Sequence, residues 1–385
     1  MIRVSAVARS GIEIEERDSS VHPGDDLYLH MNGRWLERSP IPDDKARFGA
    51  FTILAEEAEQ AVRDILEEAN TAPAGSEAKK AGDLYASFMD EERIEERGHA
   101  PVHNVIERVA EAYAKGKDAL LAELGRLERG GSEGLWQLFI DNDPGDPEKY
   151  VIFMEQGGIG LPDESYYREE SFEEIRGAYL AHLGRVFDLI GLDDAADRAA
   201  RVMAVETELA SHHWDNVRSR DAEATYNPTT LVELGSLMGG LAWDSWLEAS
   251  GIGSEKFARV IVRQPSFVSA IASLWDSQSA EALRDWTLWG VMRSFSPYLS
   301  SDLVDAHFDF FGKTLSGTPK IRARWKRAVS FVEGVMGEAV GKLYVERHFP
   351  PAAKAQMDEL VETLLEAYRL SIQSLTWMSD ETKQK

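Results

Sequence analysis

The chain has 385 residues, a formal net charge of −25 and no cysteine. The length allows one large domain or roughly two of ordinary size, and the lack of cysteine excludes disulfides, thiolate metal ligands and a cysteine nucleophile. The acidic balance argues against DNA or RNA as a partner, because phosphate binding needs clustered lysine and arginine. The composition therefore predicts a soluble globular protein that binds no nucleic acid.

The beginning of the chain, M-I-R-V-S-A-V-A-R-S-G-I-E-I-E-E, has an arginine inside a short apolar run and then becomes acidic. A secretory signal needs an apolar core of about 7–15 residues, and a membrane-spanning helix needs about 20. We therefore expect no signal peptide and no transmembrane segment. Together with the absence of cysteine, this favours a cytoplasmic location.

Apolar residues recur at helical spacing along most of the chain. We predict helices at 52–69, 77–92, 102–114, 117–127, 172–190, 194–214, 231–235, 243–250, 266–275, 280–295, 302–315, 320–349 and 353–375. Two aromatic and β-branched runs, 135–140 and 150–154, flank a turn and predict a β-hairpin, and 260–262 predicts a brief strand. The expected fold is an all-α, multi-helix lobe with one small β-hairpin.

Residues 25–54 are unusually rich in aromatic residues and turn formers. The aromatic residues are Tyr28, Trp35, Phe48 and Phe51, and the turn formers are Asn32-Gly33, Pro40, Pro42 and Gly49. This mixture predicts an ordered arm with two sharp turns, because a disordered leader lacks such rings. On residue chemistry alone, the arm could simply fill a groove on its own domain.

The last residues of the chain predict the start of another helix. Ser379 is a suitable capping residue, and Asp380 and Glu381 would lie in the first turn, where the helix dipole favours acids. The sequence stops at Lys385, after less than two turns. Because so short a helix is unstable unless it continues or docks, we expect the chain to be cut within an element.

No metal site or catalytic constellation is predicted in this chain. A zinc peptidase helix needs H-E-x-x-H, which the sequence lacks. His99 and His103 have the spacing, but Pro101 lies between them and no glutamate follows His99, so a loop entering a helix is favoured. His212 and His213 would diverge by about 100° on a helix. The paired acids are better explained as solvated helix caps than as acid–base catalysts.

Several short motifs nevertheless occur in one order that resembles the neprilysin-type zinc endopeptidases. The first group comprises Asp25, Asp26, Tyr28, Asn32, Gly33, Trp35, Ile41, Pro42, Asp44, Arg47, Phe48, Gly49 and Phe51. The later ones are Gly160-Leu161-Pro162, Tyr166-Tyr167, Tyr226-Asn227, Gly341-Lys342-Leu343-Tyr344-Val345 and Trp377-Met378. The resemblance covers nearly the whole chain.

This resemblance implies a helical lobe that faces a thermolysin-like catalytic half across an enclosed chamber and limits substrates to oligopeptides. Zinc, its ligands and the general base would then lie in a catalytic half outside this sequence, so this chain alone is expected to be inactive. The implied division is 1–45 as an arm that packs on the catalytic half, 46–378 as the gating lobe, and 379–385 as the start of the connection.

The resemblance also implies roles for individual residues. Arg47, with Phe51, would bind substrate, and the planar guanidinium of Arg47 suits the carboxylate end of a peptide. A second arginine of some relatives matches Ala55, so the clamp would be incomplete. A surface arginine near Asp44 or Glu56 is the alternative for Arg47. The expected interface residues for the catalytic half are Tyr28, Trp35 and Leu36.

A different class of function remains open from the sequence. The chain could be a free-standing helical binding or scaffold protein derived from such a lobe. An H-E-x-x-H motif downstream of Lys385, or in a neighbouring gene, would favour the peptidase.

Overall fold

The computed structural model describes residues 13–385 and is mostly helical, with one small sheet. In chain order the α-helices are α1 (Leu27–Arg38), α2 (Ala50–Ala69), α3 (Glu77–Met89), α4 (Glu91–Arg97), α5 (Ala100–Lys115), α6 (Lys117–Arg129), α7 (Ser165–Arg168), α8 (Glu173–Leu189), α9 (Ala195–His212), α10 (Leu231–Leu237), α11 (Trp243–Ser250), α12 (Pro265–Ser277), α13 (Ala280–Phe295), α14 (Ser301–His307), α15 (Arg324–His348), α16 (Pro351–Ser374) and α17 (Asp380–Gln384). The predicted fold class is confirmed.

The sheet has four strands, in the order β1 (Trp136–Asp143), β2 (Asp146–Gln156), β4 (Val260–Val262) and β3 (Pro228–Thr229). β1 and β2 form the predicted antiparallel hairpin, β2 and β4 are parallel, and β3 is antiparallel to β4. The sheet is larger than the expected hairpin, because the predicted brief strand joins it together with a two-residue strand too short to give a sequence pattern.

The chain divides into two compact units. The first unit contains residues 13–90 and Arg322–Lys385, and the second contains Glu91–Ile321. The sequence-based division at residues 45 and 378 concerns how an arm and a lobe would meet a catalytic half. It stays a prediction.

The core of the first unit lies between α2, α3 and α15. Its fully buried residues include Leu66 from α2, Ala81 from α3 and Val329 from α15. α3 approaches the end of α2 closely at Gly82, where a β-carbon would lie 2.5 Å from the backbone nitrogen of Asn70. The glycine is therefore needed for this helix contact.

The N-terminal arm differs from the sequence prediction at its first turn. Asn32 and Gly33 lie inside α1, whose first turn is capped by the Asp26 side chain. Gly33 is buried, and a β-carbon there would lie 2.6 Å from Cβ of Asp18. The predicted turn at these residues is therefore wrong, because the glycine serves close packing of α1 against the preceding chain. The second turn exists, closed by the Lys45 N–H to the Pro42 carbonyl.

The last helices of the first unit are exposed. None of the residues of α16 is buried, and α17 begins as predicted, with the Ser379 hydroxyl accepting a hydrogen bond from the Thr382 N–H at 3.2 Å. α15 is interrupted at Met336, whose backbone is not helical. The first unit therefore combines a small three-helix core with a long helix that buries nothing.

Candidate functional site

Arg47 and Phe51, the predicted substrate-binding residues, lie at the start of α2. Phe51 is 89% exposed, and Arg47 is also exposed. Within residues 13–385, Arg47 makes no hydrogen bond or ion pair. α2 begins at Ala50, three residues after Arg47, so the N–H groups of its first turn and the Arg47 guanidinium are neighbours in the sequence. The helix N-terminus and the guanidinium each attract an anion.

The alternative partners for Arg47 are occupied by lysines. Lys326 contacts Glu56 at 2.6 Å and Asp44 at 3.9 Å, and Lys45 contacts Glu56 at 3.1 Å. The hydrogen bond from Lys326 is the main reason that the pKa of Glu56 is lowered. The surface ion pair considered for Arg47 is therefore not formed with either acid.

Ala55, at the position of the second family arginine, borders a small cavity of about 330 Å³. Its charged lining residues are Lys45, Glu56, Glu59, Arg322 and Glu333. Arg322 pairs with Glu59, and burial, followed by the charge of Glu59, raises the pKa of Glu333. The cationic groups here are thus already paired with acids.

The three predicted interface residues lie on α1 in different environments. Tyr28 is 62% exposed, while Trp35 and Leu36 are half-buried. The Trp35 ring stacks on Phe48, with centroids 6.2 Å apart and an interplanar angle of 12°. Tyr28 is therefore the most exposed of the three, and Trp35 packs against the segment that leads into α2.

A continuous apolar surface runs along α16. Large apolar side chains recur at helical spacing and are all exposed: Met357, Leu360, Val361, Leu364, Leu365 and Tyr368. Trp377, just after the helix, is also exposed. Exposed apolar surface of this extent usually marks an interaction site. We call these seven residues the α16 face.

The histidines do not form a zinc site in the described part of the chain. His99 precedes α5, Pro101 lies in its first turn, and His103 pairs with Glu107. In residues 13–385 no three histidine, aspartate or glutamate side chains are grouped to hold a metal ion. The described residues therefore do not fit zinc.

The second unit contains a cavity of about 940 Å³ at the open end of the β-hairpin. Its walls include the start of β1, the end of β2, the glycine-rich segment 157–162 and residues 213–219, and Arg293 and Phe311 also line it. Arg293 donates to the Ile159 carbonyl at 2.8 Å and to Glu133 at 2.9 Å. The volume is in the range of ligand pockets.

A buried glutamate holds the glycine-rich wall of this cavity. Glu206, 1% exposed, accepts hydrogen bonds from the hydroxyls of Tyr167 at 2.7 Å and Tyr179 at 3.0 Å. The Tyr167 oxygen accepts from the N–H groups of Gly160 and Leu161, both at 3.0 Å. Burial raises the pKa of Glu206 to about 7. This network fixes the backbone of the wall.

Sequence reasoning missed Glu206, although a signal was present. The buried face of α9 consists otherwise of small and apolar residues such as Val202, Val205 and Leu209. A glutamate at a buried helical position needs specific hydrogen-bond partners. The position of Glu206 among the regularly spaced apolar residues of α9 could have identified it as a buried acid with specific partners.

Glu128 is one of the carboxyl groups that line the cavity itself. Glu128 accepts hydrogen bonds from the Leu135 N–H at 3.2 Å and the Trp246 indole at 3.0 Å. A β-carbon at Gly134 would lie 1.5 Å from the Glu128 carboxyl. Burial raises the pKa of Glu128 to about 8. Burial at the cavity wall thus favours the neutral form of this carboxyl group.

Solved structures show what this fold is similar to. The crystal structure of Mycobacterium tuberculosis zinc metalloprotease Zmp1 in complex with inhibitor matches with a TM-score of 0.90 and 43% identity, over 97% of this chain and 57% of that chain. PepO from Lactobacillus rhamnosis matches in fold, with a TM-score of 0.79 and 22% identity, over 95% of this chain and 58% of that chain. The chain therefore has the fold of the matching part of these proteins.

Sequence comparison identifies the family. The N-terminal model of Peptidase family M13 matches residues 23–385, and the chain belongs to this family. Mouse membrane metallo-endopeptidase-like 1 is 28% identical, over 99% of this chain and 53% of its own length. Human endothelin-converting enzyme-like 1 is 29% identical, over 95% and 49%. The chain thus spans about half the length of the curated relatives it matches, and the predicted resemblance is confirmed.

The expected cytoplasmic location is wrong. The relatives include membrane metallo-endopeptidase-like 1 of mouse and human, and composition cannot outweigh that relationship, because lack of cysteine is compatible with more than one compartment. Among the described helices, none has the length and apolar character needed to cross a membrane.

Proposed function

We propose that this chain is the N-terminal helical lobe of a zinc metalloendopeptidase, which closes a peptide-binding chamber when it is joined to a catalytic half. The catalytic half would supply zinc, its ligands and the general base, on this polypeptide or on another. Oligopeptides would be the substrates, limited by the size of the chamber.

The α16 face is the observation that carries this proposal. A helix of 24 residues with no buried side chain, lined on one face by leucine, valine, methionine and tyrosine, has no internal reason to be helical. Coverage by another body would remove that surface from water. Its location in a chain half as long as its relatives supports a catalytic half as that body.

Substrate binding would involve the start of α2. The free guanidinium of Arg47 can donate two parallel hydrogen bonds to a C-terminal carboxylate, and the N-terminus of α2 adds a favourable field. Phe51 would offer its exposed ring to the neighbouring side chain of the peptide. With Ala55 in place of a second arginine, this contact would rest on Arg47 alone.

The test is reassembly. The 385-residue chain is mixed with a separately produced, zinc-loaded catalytic half of an M13 peptidase, such as that of the Mycobacterium tuberculosis enzyme. We expect a complex in sedimentation velocity and chelator-sensitive cleavage of an internally quenched peptide that neither half achieves alone. A chain that forms no complex and adds no cleavage would instead be a free-standing binding or scaffold protein.

A further inference from the structure

β1 is an open edge of the sheet in the second unit. Among the strands that the structure describes it is outermost, and its one partner there is β2. From Gln137 to Asn142 its residues are exposed or half-exposed. An uncovered strand of this length presents a row of backbone donors and acceptors to any extended chain that approaches.

The hydrogen bonds on the far side of β2 show which β1 groups are free. The Met154 carbonyl accepts from the Arg263 N–H at 2.9 Å, and the Gln156 N–H donates to the Gln264 side chain at 3.0 Å. The N–H and C=O groups of Met154 therefore point away from β1. In an antiparallel pair, the N–H and C=O groups of the residue opposite on β1 then point away from β2, toward the open edge.

Leu138 pairs with Met154, and Ile140 pairs with Ile152, two residues along. The N–H and C=O groups of Leu138 and Ile140 thus point to the open edge. The Asn142 N–H, next in this series, is already bonded to the Asp141 carboxylate at 2.8 Å. The free stretch is therefore short, from Leu138 to Ile140.

The middle of β1, from Leu138 to Ile140, lacks the usual protection of an exposed edge. β1 contains no lysine and no proline, and its two aspartates, Asp141 and Asp143, and its irregularity all lie beyond Ile140. Near the tip, Ile140 is 70% exposed and Tyr150 is 76% exposed on the same face of the hairpin. Natural edges with no charge, proline or bulge in the exposed stretch are normally covered.

The edge leads into the large cavity of the second unit. Trp136, Gln137 and Leu138, the first residues of β1, form part of the lining. A strand laid along Leu138 and Ile140 could therefore place a side chain in the cavity. Recognition by strand addition takes affinity from the backbone and selectivity from such pockets.

The charge of the hairpin indicates the sign of the peptide. Asp143, Asp146 and Glu155 are paired with Arg259, Lys149 and Arg263. Asp141 and Glu148 have no ion pair in the described part of the chain. These two acids near the tip of the hairpin, Asp141 on β1 and Glu148 on β2, have no cationic partner among the described residues and favour a basic residue in the peptide.

We propose that β1 is a docking edge for an extended, basic segment of an oligopeptide substrate, which adds a strand beside Leu138 and Ile140 and places a side chain in the adjoining cavity. This inference rests on the proposed function, since it takes the peptide substrate from there. It assigns the second unit a substrate-holding role separate from that of Arg47.

The test compares Ile140→Pro with Ile140→Val in the 385-residue chain. Proline removes the outward N–H without touching the β1–β2 bonds, and edge positions tolerate it, whereas valine keeps the N–H. A fluorescein-labelled peptide of about twelve residues with two arginines is titrated by anisotropy. We expect about tenfold weaker binding for Ile140→Pro and unchanged binding for Ile140→Val.

Hydrogen exchange on the wild-type chain gives a second readout that does not depend on a variant folding. Added peptide should slow exchange of the Leu138 and Ile140 amides. Equal binding by both variants, or unprotected amides, would overturn the docking edge. Protection that grows with protein concentration in the absence of peptide would assign the edge to a second copy of the chain, and would likewise overturn it.

The outcome can be separated from that of the proposed function. If the peptide binds at β1 but no mixture with a catalytic half cleaves it, the proposed function fails while the docking edge stands. If the reassembled enzyme cleaves long and short peptides in the same ratio with or without Ile140→Pro, the docking edge fails and the function stands.

Discussion

A β-carbon on Gly160 would lie 1.8 Å from the hydroxyl oxygen of Tyr179. That hydroxyl cannot move aside, because Tyr179 is fully buried and its oxygen donates to Glu206 and accepts from the Trp289 indole at 2.8 Å. The wall of the large cavity therefore depends on a glycine that faces a fixed hydrogen-bond network.

Gly160→Ala should destabilise the protein by about 1–3 kcal/mol, as expected for overpacking of a well-packed site. Urea unfolding followed by circular dichroism measures the change. The matched control is Gly177→Ala, in α8, where an added β-carbon meets no atom within 4 Å. That change should be stabilising by up to about 1 kcal/mol, through helix propensity. Equal effects of the two substitutions would contradict the packing argument.

Glu206 should make stability fall as pH rises. Its pKa is raised from 4.5 to about 7 by burial, so the folded state binds the proton more tightly than the unfolded state. The resulting stabilisation of the folded state is fully present below about pH 4.5 and is lost as the pH rises from 4.5 to 7. The free energy of unfolding should fall by roughly 3 kcal/mol over this range. The measurement is the urea midpoint of the wild type and of Glu206→Gln at half-unit pH steps.

The difference between the two profiles isolates Glu206, because other buried groups titrate in the same range. Burial lowers the pKa of His182 to about 3 and those of His213 and His307 to about 4. Their contribution is present above about pH 6.5 and is lost as pH falls. Since both proteins share it, parallel profiles between pH 4.5 and 7 would show that Glu206 does not titrate there.

The predictable part of this fold is the part that follows from local period. α13 was predicted at its observed bounds, and the hairpin was found from its β-branched runs, because both signals are carried by neighbouring residues. Asn32-Gly33 failed for the opposite reason. A side chain at position 33 would clash with Asp18, fifteen positions away in the chain. The local Asn-Gly pattern carries no information about such a contact.

The site residues divide in the same way. Arg47 and Phe51 could be named because they stand in a motif, whereas the cavity of the second unit is assembled from segments between residues 128 and 315. The surroundings of Glu128 depend on Gly134 and Trp246, which the fold places beside its carboxyl group. Contacts over such sequence distances are set by tertiary packing and leave no local pattern.

Arg47→Ala should change carboxylate selectivity in the reassembled peptidase. Because Arg47 is unpaired and would meet the C-terminal carboxylate, turnover of short peptides with a free C-terminus should fall by more than turnover of the same peptides amidated. The readout is kcat/KM for each pair. The control is Arg34→Ala, on α1, which should affect both substrates alike. Equal losses for Arg47→Ala would make it a structural residue.

Leu364→Asp should weaken assembly with a catalytic half. Leu364 lies in the middle of the α16 face, and a charge buried there would cost on the order of 2 kcal/mol or more of binding free energy. Isothermal titration of the two halves gives the affinity. Glu362→Ala, on the opposite side of the same helix, should bind as the wild type does. If both variants assemble normally, the α16 face is not the contact.

A helix that buries none of its own side chains obtains its stability from whatever it covers. For α16, ordering the backbone of 24 residues costs entropy that its own unit does not offset by burial. If a catalytic half covers α16 as proposed, folding of this segment and association with that half would be one thermodynamic event. Substitutions on the solvent side of α16 that favour the helix and leave the contact unchanged would raise the affinity, because less conformational entropy would be lost on association.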